Sequence, residues 1–456
     1  MLAAATTDRH PLAQVVALLG GTGVDFIRKV AREHQALGYG SLAARKEQYS
    51  RWTSATRPIT PHLHTQLAMA HLLRVEPAQV DAFGWPAWLL LALRDGSAVW
   101  TSPWTPAGTI HALDHAGGSV DRRAFLTATA TTTAAVLAQW ATAARTTTAA
   151  ASSGRRIGTS VTDAVDSRLT ALRHLDDDLG SGHVYTIARA ELDLITTLLK
   201  NNSYNEATGR RLYAAASEAA RLTGWCAYDS HHIGAAEELF AAALRSSASA
   251  GRSDAGLIAW AFWANTRYAC GDPRGALDMV DGALATAGTT GTPRTLALLH
   301  LRRARALSLL DQPTDAYHAI DTALASYTKA ESPAADSPVL YWVNEGEIHE
   351  AAASSALDLG EPKRALAFFD AAATAQDPYD PDREPRGTAV YQARIASAHL
   401  ALGDLDAALD AARTAATHMG GVDSTRGNST LTDLRESFAR HRCVPGVKDF
   451  LDDTAP

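Results

Sequence analysis

The chain has 456 residues, 46% of them hydrophobic, which is enough for two or three domains and a large core. A formal net charge of −7 excludes a generally basic nucleic-acid coat protein, while leaving room for one basic module on an acidic carrier. Cys226, Cys270 and Cys443 lie far apart with no CxxC pair, which fits a reducing cytoplasm and argues against disulfides or a zinc site. The close pairs His62/His64 and His231/His232 have no acidic or cysteine partner at ligand spacing, so no metal or cofactor is expected. The start, MLAAATTDRHPLAQ, lacks the basic n-region and long apolar core of a secretory signal.

From residue 1 to 95 the pattern is of short helices divided by Gly and Pro. Pro11–Leu19 is a short apolar-periodic run closed by Gly20–Gly23, and VDFIRKVAREHQALG follows at helical spacing. SLAARKEQYSRWTSATR, Ser41–Arg57, places Tyr49 and Trp52 on one helical face, with Arg45, Lys46, Gln48, Ser50 and Arg51 elsewhere. An apolar anchor side and a long hydrogen-bonding side are what a DNA recognition helix needs. Pro58 and Pro61 break the chain, HLHTQLAMAHLL forms another helix, and VEPAQVDAFGWP leads into the apolar WLLLAL. Ten Lys/Arg against seven Asp/Glu give this segment 10 − 7 = +3, the opposite sign to the whole chain. This layout predicts a helix-turn-helix domain of the repressor type.

The stretch AARKEQYSRWTS…TPHLHTQLAMAHLLRVEPAQVDAFGWPAWLLLAL resembles the N-terminal domain of actinomycete regulators that join an Xre-like (Cro/C1-type) helix-turn-helix to tetratricopeptide repeats. Some of these are negative regulators of sporulation and antibiotic production. The match is carried by Tyr49–Trp52, the TQLAMAHL run and Gly84–Leu93. The resemblance implies that Tyr49 and Trp52 anchor the recognition helix, that Arg45, Lys46, Gln48 and Arg51 face DNA, and that Arg57 meets a phosphate. Ala55 departs from the pattern where many such proteins have Gly after the helix.

Residues 96–165 read as a linker. Ser97–Gly118 is rich in Pro, Thr and Gly, with Trp100 and Trp104, and an uncharged Ala/Thr-rich helix spans Thr127–Ala144. DRRAFL at Asp121–Leu126 resembles a twin-arginine export motif, but it lies far inside the chain and the following run is too weakly hydrophobic for a membrane span. A cytoplasmic tether is the expectation, with no membrane partner.

From 166 to 456 the chain is helical and repeated, most clearly over 212–418. Ala pairs seven apart recur at Ala236/Ala243, Ala276/Ala283, Ala316/Ala323, Ala365/Ala372 and Ala408/Ala415. A small residue stands twelve before each pair: Gly224, Ala264, Ala304, Ala353 and Ala396. Gly271, Gly360 and Gly403 hold the turn between, where His231 and Asp311 replace Gly in two repeats. These are tetratricopeptide positions, at spacings longer than the usual ~34 residues. The expected fold is therefore all-α: an N-terminal helix-turn-helix domain joined by a linker to an α-solenoid with a C-terminal capping helix. In such arrays the first helix of each hairpin faces inward, which selects Trp225, Tyr228, Asn265, Tyr268, Arg302, Arg305, Glu347 and Glu350 as candidate ligand- or peptide-binding residues.

No phosphate loop, GxGxxG after a strand, HExxH or GxSxG occurs, so no catalytic residues are assigned and an enzyme is not expected. Asp176–Asp178 reads as a solvated helix end. The functional expectation is a homodimeric transcriptional regulator that binds a double-stranded operator and receives a peptide, small molecule or protein on its solenoid. The alternative is a protein–protein scaffold whose helix-turn-helix no longer binds DNA.

Overall fold

The computed structural model describes residues 10–18, 22–54, 59–73, 75, 77–89, 98–117, 130–143, 154–251, 254–288, 291–330, 336–376 and 384–454. Among them there is no β-strand beyond one isolated bridge between Arg156 and Ser203, so the fold is all-α. No helix among these residues is long and apolar enough to cross a membrane. The twin-arginine-like Asp121–Leu126, and Arg57, lie outside the described residues.

Five short helices form the N-terminal module: α1 (Pro11–Leu18), α2 (Gly23–Ala36), α3 (Lys46–Trp52), α4 (Leu63–Leu72) and α5 (Pro77–Phe83). They share a core of their own, centred on Ile27, Val30, Trp52, Met69, Val80 and Trp88. Buried Gln66 ties two of the sequence's marked stretches together. Its amide nitrogen donates to the Pro61 carbonyl at 2.8 Å, and its oxygen accepts from the Trp88 indole at 3.0 Å. Gly23 opens α2 because the Tyr49 ring of α3 occupies the space a Cβ would need.

The larger part is an α-solenoid of antiparallel hairpins. Two long helices, α8 (Thr159–Leu179) and α9 (Ser181–Asn201), precede α10/α11 (Glu206–Asp229, Ile233–Ser249), α12/α13 (Asp254–Ala269, Pro273–Ala287) and α14/α15 (Pro293–Leu309, Pro313–Tyr327). Then come α16/α17 (Glu345–Asp358, Pro362–Ala373), α18/α19 (Pro385–Leu402, Leu405–Met419) and the closing pair α20/α21 (Thr425–Ala439, Pro445–Asp453). The sequence register explains the packing. Ala264, Ala304, Ala353 and Ala396 are fully buried, as are Ala236, Ala276, Ala316, Ala365 and Ala408 of the facing helices. A Cβ on Gly224 would come within 3.0 Å of the Phe240 ring. Small side chains here let each hairpin's backbones approach closely.

The five hairpins from α10/α11 to α18/α19 each turn through one left-handed residue. Gly271, Gly360 and Gly403 adopt φ of 85°, 72° and 79°, and so do His231 (61°) and Asp311 (56°) where Gly is replaced. The residue after each donates its N–H back to the helix end, as in Asp272 N to Arg267 O at 3.0 Å and Gln312 N to Leu307 O at 3.0 Å, which satisfies carbonyls the helix leaves open.

Residues 98–117 and 130–143, expected as a linker, are part of the solenoid's core. Val99, Leu113, Ala116, Val136 and Trp140 join its largest hydrophobic cluster. The helices involved are α6 (Pro106–His115) and α7 (Ala130–Thr142). Gly256 leaves room for the Trp140 ring, whose indole donates to Ser247 Oγ at 2.9 Å. Arg245 of α11, 1% exposed, is the main tie. Its guanidinium donates to the carbonyls of Val99 (2.6 Å) and Ser102 (2.7 Å) and lies 4.5 Å over the Trp104 ring. Its Pro, Thr and Gly content made this segment read as a linker, but it is held by those apolar side chains and by the arginine's bonds to its backbone. Arg245→Met leaves those carbonyls without donors and is expected to destabilise the protein by about 3 kcal/mol. Chymotrypsin should then cut at Trp100 and Trp104 at concentrations that spare the wild type; equal resistance would show that Arg245 does not hold the segment.

Candidate functional site

The first helix of every hairpin sends side chains inward. Trp225 and Tyr228 of α10, Asn265 and Tyr268 of α12, Arg302 and Arg305 of α14 and Glu347 of α16 border one cavity of about 420 Å³. Glu350, the eighth candidate, is not on its wall; it sits one helical turn beyond Glu347, with Oε2 buried and without a hydrogen bond.

The solenoid curls until its last hairpins meet its first helices, and this closes the cavity. Arg386 of α18 bonds Asp176 Oδ2 of α8 at 2.8 Å and Ser181 Oγ at 3.1 Å, with Asp229 Oδ2 at 3.8 Å. Arg426 of α20 bonds the other oxygen of Asp229, which is fully buried, at 3.1 Å. Backbone bonds complete the seam, from Gly182 N to Asp423 O at 3.0 Å and from Asp423 N to Leu179 O at 2.9 Å. Asp176 is thus 3% exposed, not part of a solvated helix end; its charge is cancelled by an arginine 210 residues away in sequence. Burial alone would raise its carboxyl, but Arg386 and the Ser181 hydroxyl hold it below the usual range. Asp177 is different. Burial pushes it up to about 7, Arg386 at 3.9 Å only partly offsets this, and Tyr341 donates its hydroxyl to it.

The wall carries seven arginines (Arg173, Arg221, Arg302, Arg305, Arg386, Arg394, Arg426) and five carboxylates (Asp176, Asp177, Glu347, Glu384, Asp433). Arg386 and Arg426 have the aspartates described above, Arg173 has Glu218 and Arg305 has Asp358. Among the described residues Arg221, Arg302 and Arg394 have no carboxylate at ion-pair distance. Arg221 and Arg302 are 4% and 7% exposed, and the Nε of each is buried without an acceptor. Burial lowers Arg221 to about 10. An aromatic row separates the two: Arg221 lies 4.4 Å over Phe262, Phe262 meets Trp342 edge-on at 6.0 Å, and Arg302 lies 5.6 Å over Trp342. Trp225 stands edge-on to Phe262 at 5.2 Å, on its other side.

Sequence reasoning missed Arg221, Arg386, Arg394, Arg426, Tyr341, Trp342 and Tyr391. One was within reach: Arg302 stands two residues before Ala304, and Arg394 stands two before Ala396, the same register one turn of the solenoid later. Arg386 and Arg426 follow no repeat position, because they serve the closure and not the hairpin.

In the N-terminal module Arg45, Lys46, Ser50 and Arg51 are exposed on or beside α3. Gln48 is half-buried, and its side chain accepts from the Arg45 N–H at 3.3 Å. Trp52 is 6% exposed, in the module's core. The α3 helix stands alone between the connections 37–45 and 53–62. Four-residue connections, short enough for a helix-turn-helix, join α1 to α2 (residues 19–22) and α4 to α5 (residues 73–76). The exposed residues of α5 include Pro77, Ala78, Asp81 and Ala82.

No family model matches the chain, and neither does any curated protein. Among solved structures, a crystal structure of BtubC (BKLC) from P. vanneervenii aligns with 53% of this chain and 92% of its own, at 14% identity and a TM-score of 0.37. A crystal structure of the APC/C hetero-tetramer Cut9-Hcn1 aligns with 93% of this chain and 69% of its own, at 11% identity and a TM-score of 0.34. The site is therefore argued from this chain's own geometry.

Glu350 offers a test of the wall's electrostatics. Burial, then the charge of Glu347, raises its carboxyl to about 8 against the pull of Arg394. Near pH 4 the folded and unfolded forms both keep the proton. Between there and pH 8 only the unfolded form releases it, so this group's contribution to stability is lost as pH rises. Glu350→Gln should match the wild-type Tm near pH 4 and exceed it at pH 8.5; a difference independent of pH would contradict this assignment.

Proposed function

We propose that the chain is a ligand-sensing, DNA-binding regulator that works as a homodimer. The solenoid is its receptor, and the cavity, walled by seven arginines against five carboxylates, is the observation that carries this. A cavity of this size is in the range used for small molecules. The expectation of a peptide, small molecule or protein ligand narrows accordingly to the first two. The α10 and α12 helices offer a route to the output: they carry cavity residues on one face and hold α6 and α7 on another, through Tyr213 OH to Pro106 O at 3.2 Å and Trp260 against Trp140. Ligand occupancy would then bias where the two N-terminal modules sit, and with it their affinity for paired half-sites.

For the output, α4–α5, which lies in the stretch that carries the resemblance and has a four-residue connection, is the candidate helix-turn-helix pair. Exposed Arg45, Lys46 and Arg51 on the α3 side supply phosphate contacts, with Ser50 beside them; Gln48 is occupied by its own helix start. A second reading, a protein–protein scaffold with a silent helix-turn-helix, is favoured by one observation. Pro77, Ala78, Asp81 and Ala82, exposed among the described residues of α5, are not the Arg, Lys, Asn or Gln that a base-reading helix usually presents.

Fluorescence anisotropy on a duplex from the gene's own promoter region separates the two. The regulator reading expects salt-dependent binding, with Arg45, Lys46 and Arg51 replaced together by Ala weakening it at least tenfold and lowering the salt slope by about 3. Wild-type and variant curves that coincide and ignore salt would contradict it and leave the scaffold.

A further inference from the structure

Buried cations in a folded protein have partners, because an isolated charge away from water is costly to hold. Arg386, Arg426 and Arg305 obey this rule. Arg221 does not: it is more than nine-tenths buried, borders the cavity and has an Nε with no acceptor, whereas Arg302, as deeply buried and with an Nε likewise left over, is steadied by Tyr268 and the charge of Glu347. The carboxylates that face them are already engaged. Asp176 belongs to Arg386, Asp177 accepts from the Tyr341 hydroxyl, and Glu347 accepts from Tyr391 at 2.7 Å. The two guanidiniums are not randomly placed. They flank the Phe262–Trp342 pair, whose rings meet edge to face, so a guanidinium stands over each ring.

We infer that the cavity receives a small anion: a carboxylate or phosphate bonded by Arg221, attached to an apolar body that lies against Phe262, Trp342 and Trp225 and reaches toward Arg302. The anion supplies the acceptors that the protein leaves out, and planar guanidinium is suited to either group. This inference rests on the receptor half of the proposed function and names its ligand class; the output half is independent of it. It also makes Arg221 a residue kept for binding at the expense of stability in the empty protein.

The test uses the full-length protein with four probes: phenyl phosphate, benzoate, neutral benzamide and inorganic phosphate. Tryptophan fluorescence and thermal unfolding are the readouts. Phenyl phosphate or benzoate is expected to change the tryptophan emission and raise Tm; whichever does so more strongly identifies the anionic group. Benzamide should do neither, and inorganic phosphate should bind more weakly than phenyl phosphate for want of the ring. Arg302→Gln should weaken the better anion by about tenfold or more. Arg221→Met should abolish binding and raise the Tm of the empty protein, the reverse of Arg245→Met, whose arginine has its partners.

Three results would overturn the inference. Benzamide binding as tightly as benzoate removes the anion and leaves the cavity a binding site of another class. Neither aromatic anion binding at millimolar concentration, with Arg221→Met lowering Tm, makes Arg221 a structural residue. An oligoglutamate peptide binding more tightly than both small anions makes the occupant a polypeptide. The promoter titration uses no ligand, so it decides the DNA output separately from all of these.

Discussion

One buried guanidinium, that of Arg386, sets the shape of the solenoid. A stack of helical hairpins contacts only its neighbours and has no inherent reason to close. Here α18 reaches back to α8 because Arg386 finds Asp176, Asp177 and Asp229 in one place. The desolvation of so many charges is tolerable because they balance. Arg386 and Arg426 offset Asp176 and Asp229, while burial raises Asp177 to about 7. Once the ends are joined, the inward faces of α10 to α20 line one cavity. Arg221, Arg302 and Arg394, outside that closure, become the chemistry of its wall.

The hairpins were legible in the sequence because close packing of helices demands small residues at fixed intervals. Ala264, Ala304, Ala353 and Ala396 recur for that reason, and the left-handed turns follow the same spacing. Even His231 and Asp311 adopt the conformation of the glycines they replace. Inward-facing residues could be chosen from the same register, and it gathered Trp225 to Glu347 around one cavity while leaving Glu350 outside it. What the sequence hid was closure. Asp176 looks like a solvated acid until Arg386 arrives from 210 residues away, and no local pattern announces such a pair.

Residues 98–117 and the N-terminal module show two other ways in which local patterns fall short. A Pro/Thr/Gly-rich stretch reads as a tether, but hydrogen bonds from Arg245 to its carbonyls add to the few apolar side chains it buries. In the module, Tyr49 and Trp52 look like the anchor of a recognition helix. They are an anchor, but to the start of α2 and the module's core, and the short connections of the module fall elsewhere than beside α3. Aromatic spacing reports which side of a helix is buried; it does not report which turn is tight.

The account depends most on the cavity being occupied in use. Native mass spectrometry of the protein purified gently from cells measures that directly, by comparison with the mass of the denatured chain. The account predicts an extra mass of a few hundred daltons on the native protein, lost on denaturation, recoverable as a small organic anion and absent from Arg221→Met. Native and denatured masses that agree per subunit, in the wild type as in the variant, would contradict it.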